Sequence, residues 1–278
     1  MNTQSTTPQR PLILVSNDDG IQAPGVRRLI DMLLPLADIV CVCPLYPQSG
    51  MSMAITVNRP LRITRFDDYR GVAMYAVDGT PVDCVKLARH ALLDRLPDMV
   101  VAGINHGSNA GINLIYSGTM GATMEGCVLG IPSVGFSLTN HSMKADFSPC
   151  EPFVKKIVGD LLHCGLPKGV CLNVNIPDCS PAPTAMKLVR QCNSNWSDEY
   201  KQYTDPSGKP FYMLSGCFEN EEADRDDTDE WCMSNGVVAV VPVELNRSAS
   251  FPGMRSTEIA WTEAQLAALR SFNIPKIG

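Results

Sequence analysis

Two carboxylates stand side by side at the end of an apolar run. In "LILVSNDDGIQAPG", Leu12 to Gly25, the run leads into Ser16, Asn17, Asp18 and Asp19, and a glycine follows. Two like charges about 5 Å apart repel by roughly 3 kcal/mol at an effective dielectric of 20, so the pair calls for protonation, separation or a cation. A divalent metal removes the repulsion, and hard cations such as Mg²⁺ or Mn²⁺ prefer oxygen ligands. Ser49 in "YPQSGMSMA" and Asn105 in "GINHGSNAG" offer neutral oxygens on two further loops. Each of these has a plain reading when taken alone. Asp-Asp-Gly is ordinary turn and helix-start chemistry, Asn105 suits a turn, and Ser49 suits an exposed loop.

A second feature shifts the balance. The stretch "GINHGSNAGINLIYSGTMGA" is glycine-rich and carries Ser117, Gly118 and Thr119 just ahead of a helical segment. Backbone N–H groups and hydroxyls placed so can face an anion at the helix N-terminus. Metal plus phosphate is the economical inference. Neither GxxxxGK[ST] nor GxGxxG after the first strand is present, which argues against an NTPase phosphate loop and a dinucleotide fold.

The elements that must position these loops alternate. "PLILVS", "DIVCVCP", "MYAVDG", "DMVVAGIN" and "PSVGFSL" read as strands, and "GVRRLIDMLLPL", "PVDCVKLARHALLDRL" and "GTMGATMEGCVLG" as helices between them. This predicts an α/β fold, a Rossmann-like, mostly parallel sheet with helices on both faces, extended by "PFVKKIVGDLLHCGL" and "GVCLNVNIP". In such a sheet ligands sit beyond the carboxyl ends of the strands, where all three loops fall. "TVNRPLRIT" reads as an inserted edge element because Pro60 cannot serve a central ladder. After about Asp178 the character turns to loops and short strands. We expect a catalytic domain over residues 1–178 and a β-rich, oligomerising extension with a closing helix over 179–278. The apolar "GVVAVVPV" is expected outside the first domain, and "ENEEADRDDTDE" as a solvated loop.

Composition narrows the functional classes. With 278 residues, 45% hydrophobic, the chain can bury a sizeable core. A net charge of -6 disfavours a grip on a nucleic-acid backbone. No apolar run approaches the roughly 18 residues that span a bilayer, and "MNTQSTTPQR" lacks the apolar core of a signal peptide, so a cytoplasmic location and no membrane partner are expected. The eleven cysteines are odd in number and scattered, which reads as reduced core thiols.

The motifs "ILVSNDDGIQAPG", "QSGMSMAIT", "VDGTPVDCVKLA", "DMVVAGINHGSNAG", "YSGTMGATMEG" and "GIPSVGFSL", spanning Pro11 to Leu138, resemble the SurE family of metal-dependent survival-protein nucleotidases. A weaker echo continues in "DTDEWCMSNGVVAVVPV". The resemblance implies a Rossmann-like domain with a protruding oligomerising extension, hence a homodimer or homotetramer. It also implies phosphatase action on nucleoside 5'- and 3'-monophosphates with one divalent cation, Mg or Mn, held by Asp18, Asp19, Ser49 and Asn105. His106, after Gly-Ile-Asn, and Ala54, before Ile55-Thr56, depart from the commonest pattern and bear on substrate preference. Asn17 and the groups around Gly107, Asn109, Ser117, Gly118 and Thr119 are then expected at the phosphate. Asp18 or Asp19 would activate the attacking water or attack phosphorus. His106 reads either as a general acid or as a hydrogen-bonding wall residue, and Tyr46 and Tyr116 either stack a base or pack. A haloacid-dehalogenase-like phosphatase fits less well, since its two acids lie two residues apart. A non-catalytic nucleotide-binding protein would need the acidic pair only as a turn.

Overall fold

The computed structural model describes residues 10–248 and 260–273, so the N-terminal "MNTQSTTPQ" that entered the reading on location lies outside the described residues. Six parallel strands form the centre: β1 (Leu12–Ser16), β2 (Asp38–Pro44), β4 (Val72–Val77), β5 (Met99–His106), β6 (Ser133–Leu138) and β7 (Val170–Ile176). Their spatial order is β4-β2-β1-β5-β6-β7. The chain builds leftward from β1 to β4 and then returns to β5 on the other flank of β1. That reversal creates a crevice between the ends of β1 and β5, the place where open α/β sheets bind ligands. β1 and β5 are nearly continuous apolar runs because both sheet faces are covered.

Helices cover the two faces. On one lie α1 (Pro24–Leu33), α5 (Glu151–Cys164) and α7 (Glu263–Ser271). α1 buries Val26, Leu29, Ile30 and Leu33, the i, i+3, i+4, i+7 stripe, and opens on Pro24, whose fixed φ suits a first helical turn. On the other face are α2 (Pro81–Leu87) and α4 (Gly118–Val128), the latter following the short α3 (Asn113–Tyr116). α4 is buried from Gly118 to Cys127. It fits because it is studded with small residues. A Cβ on Gly121 would come within 2.0 Å of the Ser52 carbonyl oxygen, and one on Gly126 within 2.4 Å of Ser133 Oγ.

The edges depart from the sequence reading in two places. Edge strand β3 (Ile63–Tyr69), antiparallel to β4, starts only after Pro60, so the inserted edge element shares just Ile63 and Thr64 with "TVNRPLRIT" and runs on to Tyr69. More consequentially, β13 (Val238–Glu244), expected outside the first domain, sits inside the main sheet. It runs antiparallel to β7 and parallel to β8 (Met186–Leu188). The apolarity of "VVAVVPV" thus reflects burial between two strands. What projects from the sheet is 194–220. There β9 (Ser194–Ser197) pairs with β12 (Cys217–Asn220), and β10 (Tyr200–Thr204) pairs with β11 (Pro210–Leu214), both antiparallel.

The acidic run also divides. Glu222 and Asp227 grip Arg190, which holds both carboxyls down at about 2. Asp229, at the start of α6 (Asp229–Ser234), is instead fully buried and accepts the N–H groups of Gly111 and Cys192, each at 2.9 Å. No disulfide joins the eleven cysteines, and eight of them are buried. No helix among the described residues is long and apolar enough to cross a membrane.

Candidate active site

β1 ends in a tight turn that Asn17 closes on itself. Its Nδ2–H donates to Gly20 O at 2.9 Å, and its Oδ1 accepts the Gly20 N–H at 3.2 Å. Gly20 has φ +97°, a conformation that a side chain would strain. The turn projects Asp18 and Asp19 in different directions. Asp18, 4% exposed, points toward the start of α4, where the Thr119 hydroxyl donates to its Oδ1. Gly118 makes room for it, since a Cβ there would lie 2.7 Å from Asp18 Cβ and 2.9 Å from Oδ2. Asp19 points toward the end of β5, where its Oδ2 accepts from His106.

Burial and the neighbouring charge of Asp19 push the Asp18 carboxyl up to about 6. Among the described residues no Lys or Arg pairs with either aspartate. An adjacent acidic pair, one member buried and neither matched by Lys or Arg, fits a divalent ion. The donor set is oxygen-only, consistent with a hard cation, and no cluster of three or more His, Cys, Asp or Glu side chains competes for a softer one among the described residues.

Asn105 reaches the crevice through a bulge. The pairing of β5 with β6 shifts between Ala102 and Asn105, at Gly103, where φ is +119° and a Cβ would strike Phe136 O at 2.3 Å. Such a bulge re-aims the side chains that follow it. Asn105 then donates Nδ2–H to Gly107 O at 2.8 Å, and its Oδ1 has no hydrogen-bond partner among the described residues. Ser49 is exposed, and its hydroxyl makes no hydrogen bond to either aspartate. Its loop is nonetheless tied to the pair, because Gln48 N donates to Asp18 O at 2.7 Å. The far side of that loop is pinned by Asp83, which accepts from Thr56 N and Thr56 Oγ1 at 3.1 and 2.7 Å.

The residues expected at the phosphate separate into two groups. Ser117 caps α4, with its Oγ accepting from Met120 N at 3.0 Å, and Gly118 and Thr119, both buried, form the first turn of the same helix beside Asp18. Gly107 and Asn109 are already committed. The Gly107 N–H donates to Leu138 O, and Asn109 donates its N–H to Asn175 Oδ1 and Nδ2–H to Ser137 Oγ while its carbonyl accepts from Asn173. They shape the loop rather than offer donors to a ligand. Asn17 likewise spends its side chain on its own turn.

Sequence reading missed the Thr119 hydroxyl as an Asp18 partner, the His106 ring as an Asp19 partner, and Asp229 as an anchor of the glycine-rich loop. Only His106 left a signal, by following Asn105 directly. Its ring stands as a hydrogen-bonding wall of the site: Nδ1 lies 2.9 Å from Asp19 Oδ2, and Nε2 is buried. Tyr46 and Tyr116 are 68% and 54% exposed, so neither serves as core packing.

Comparison with known proteins places this geometry. A model of the family described as Survival protein SurE matches residues 13–198. A Cytophaga hutchinsonii protein named 5'-nucleotidase SurE is 46% identical over 242 residues, covering 86% of this chain and 93% of the relative. One of the same name from Chlorobaculum tepidum is 38% identical over 240 residues, covering 86% and 90%. The crystal structure of the SurE protein from Aquifex aeolicus superposes with a TM-score of 0.74 at 35% identity, covering 86% of this chain and 95% of that one. The turn that carries Asp18 and Asp19, the bulged end of β5 and the start of α4 all fall within the matched residues, and the chain belongs to the SurE family.

Proposed function

We propose that this protein is a divalent-metal-dependent phosphatase that hydrolyses nucleoside 5'-monophosphates, and also 3'-monophosphates, to nucleoside and phosphate. The observation that carries the reading is the adjacent pair Asp18 and Asp19, unmatched by any Lys or Arg among the described residues, with Asp18 set directly against the N-terminus of α4. Asp18, Asp19 and Asn105, with Ser49 from the second loop, would hold the cation. Bound there, Mg²⁺ or Mn²⁺ supplies charge neutralisation at the phosphoryl group. The Gly118 amide and the Ser117 hydroxyl receive phosphate oxygens, helped by the helix dipole, while Thr119, whose hydroxyl donates to Asp18, supports the site from the same helix turn. Asp18, lodged between that helix start and the crevice, takes the proton of the attacking water. Exposed Tyr116, one residue before Ser117, is placed to stack a base.

The same reading includes self-association and a cytoplasmic location. Tyr200, Tyr212, Met213 and Leu214 on the projecting β10–β11 hairpin are 55–73% exposed, a patch suited to a partner copy in a homodimer or homotetramer.

Phosphate release from a panel of nucleoside mono-, di- and triphosphates, with Mg²⁺ or Mn²⁺ and then with EDTA, tests the activity. Metal-dependent release confined to monophosphates is expected. Nucleotide binding without turnover would favour the non-catalytic reading, in which the acidic pair serves only as a turn.

A further inference from the structure

We propose that His106 is a positioning residue for the cation, acting through Asp19 and setting metal affinity. The inference rests on the metallophosphatase reading above and concerns which residue presents its second carboxylate. Asp19 Oδ2 receives two donors from a single residue: the His106 ring at Nδ1, 2.9 Å away, and the His106 backbone N–H at 3.3 Å. Asp19 Oδ1 accepts no hydrogen bond from the described residues, so one oxygen of the carboxylate is held and the other is left for a ligand.

The ring itself is immobilised. The His106 side chain is 5% exposed, and its plane meets that of Phe147 edge-on, with centroids 5.1 Å apart at 88°. Nε2 is buried without a hydrogen-bond partner. With a carboxylate at Nδ1, the ring donates there. The ring therefore has one polar contact to offer, and it offers it to Asp19. Ligating carboxylates are themselves steered by such outer hydrogen bonds, whose loss typically costs 10- to 100-fold in metal affinity.

His106 also occupies a position that only the local backbone makes effective. It is the last residue of β5 and follows the bulge at Gly103, so the shift in register that turns Asn105 into the crevice also turns the next residue to the other side of the strand. Asn105 and His106 then address the same site from one dipeptide, the first as a ligand and the second through Asp19.

The test uses the full-length protein, stripped of metal, with free Mn²⁺ followed by its electron paramagnetic resonance signal. His106→Ala should weaken Mn²⁺ binding about 10- to 100-fold. The metal concentration needed for half-maximal turnover should rise in parallel, and kcat at saturating Mn²⁺ should change far less. His106→Asn should recover most of the affinity, because an asparagine Nδ2–H takes the place of the ring Nδ1–H. His106→Gln, closer to histidine in volume, should not, because its Nε2–H takes the place of Nε2. A role limited to filling space beside Phe147 predicts the reverse ranking, with affinity following the thermal stability of the metal-free variants. Mn²⁺ affinity within twofold of wild type in all three variants would overturn the inference. So would glutamine matching or exceeding asparagine, a comparison that decides the matter even if the alanine variant fails to fold. Failure of the wild type to bind Mn²⁺ would overturn the metallophosphatase reading as well, which separates the two failures.

Discussion

Asp18→Asn is the substitution whose consequences the structure fixes most closely. In the metal-free protein the Asp18 carboxyl is pushed up from 3.8 to about 6, first by burial and then by the charge of Asp19. At 1.36 kcal/mol per pH unit that is a cost of about 3 kcal/mol for keeping it ionised in the folded state at pH 8. The sign follows from linkage. Between pH 3.8 and 6 the folded chain binds more protons at this site than the unfolded chain does, so metal-free stability falls as pH rises through that window. Asparagine has no charge to bury and keeps an oxygen for the Thr119 hydroxyl, which offsets the lost charge-assisted bond to within about 1 kcal/mol. The EDTA-treated variant should therefore be more stable than wild type at pH 8 by about 2 kcal/mol, or about 4–8 °C in Tm. The gap should close as pH falls below 4. Turnover with metal should fall at least about 100-fold. Scanning calorimetry from pH 4 to 8 and steady-state kinetics read the two effects. A metal-free variant less stable than wild type at pH 8, with turnover unchanged, would refute the argument and return Asp18 to a turn-forming role.

Three further expectations follow from particular contacts. Gly118→Ala places a Cβ 2.7 Å from Asp18 Cβ, so kcat should fall by about 100-fold or more while circular dichroism and oligomeric state stay as in wild type. Glu230 is pushed up to about 7 by burial and by the charge of Asp229, so stability should decline as pH rises from 4.5 to 7. Glu230→Gln should remove up to about 2 kcal/mol of that decline in denaturant titrations at the two pH values, and an unchanged slope would contradict the assignment. If the β10–β11 hairpin is the interface, Leu214→Glu paired with Met213→Glu should shift light scattering from a dimer or tetramer toward the 30.2 kDa chain, whereas a monomeric wild type would remove the interface altogether.

The parallel core was legible because each of its strands is a short apolar run closed by glycine, proline or a polar turn, and such runs mark strands covered on both faces. The acidic pair and the helix start were legible for a related reason: the pair lies in the loop directly following β1 and the helix start closes the glycine-rich stretch after β5, beyond the strand ends where this architecture puts its ligands. Partner choice was not legible. "VVAVVPV" announces a buried strand but not which strand it pairs with, so its place between β7 and β8 had to come from the structure. Side-chain partnerships across long separations were hidden in the same way. Asp19 and His106 are 87 residues apart, and Asp18 and Thr119 are 101. Gly107 and Asn109 looked like phosphate donors by composition, yet pairing with β6 and β7 consumes their amides. A glycine-rich loop indicates freedom of the backbone, and only the surrounding donors and acceptors decide whether its N–H groups remain available.

The central claim is that Asp18 and Asp19 hold a cation without which phosphate is not released. The direct measurement is phosphate release from AMP by EDTA-stripped enzyme titrated with Mn²⁺, wild type and Asp19→Asn side by side. The account predicts no release from either before metal is added, saturation of the wild type at one Mn²⁺ per chain, and at least about 100-fold less turnover in the variant at the concentration that saturates wild type. Full release from the stripped wild type, or wild-type turnover in Asp19→Asn at that same concentration, would contradict it.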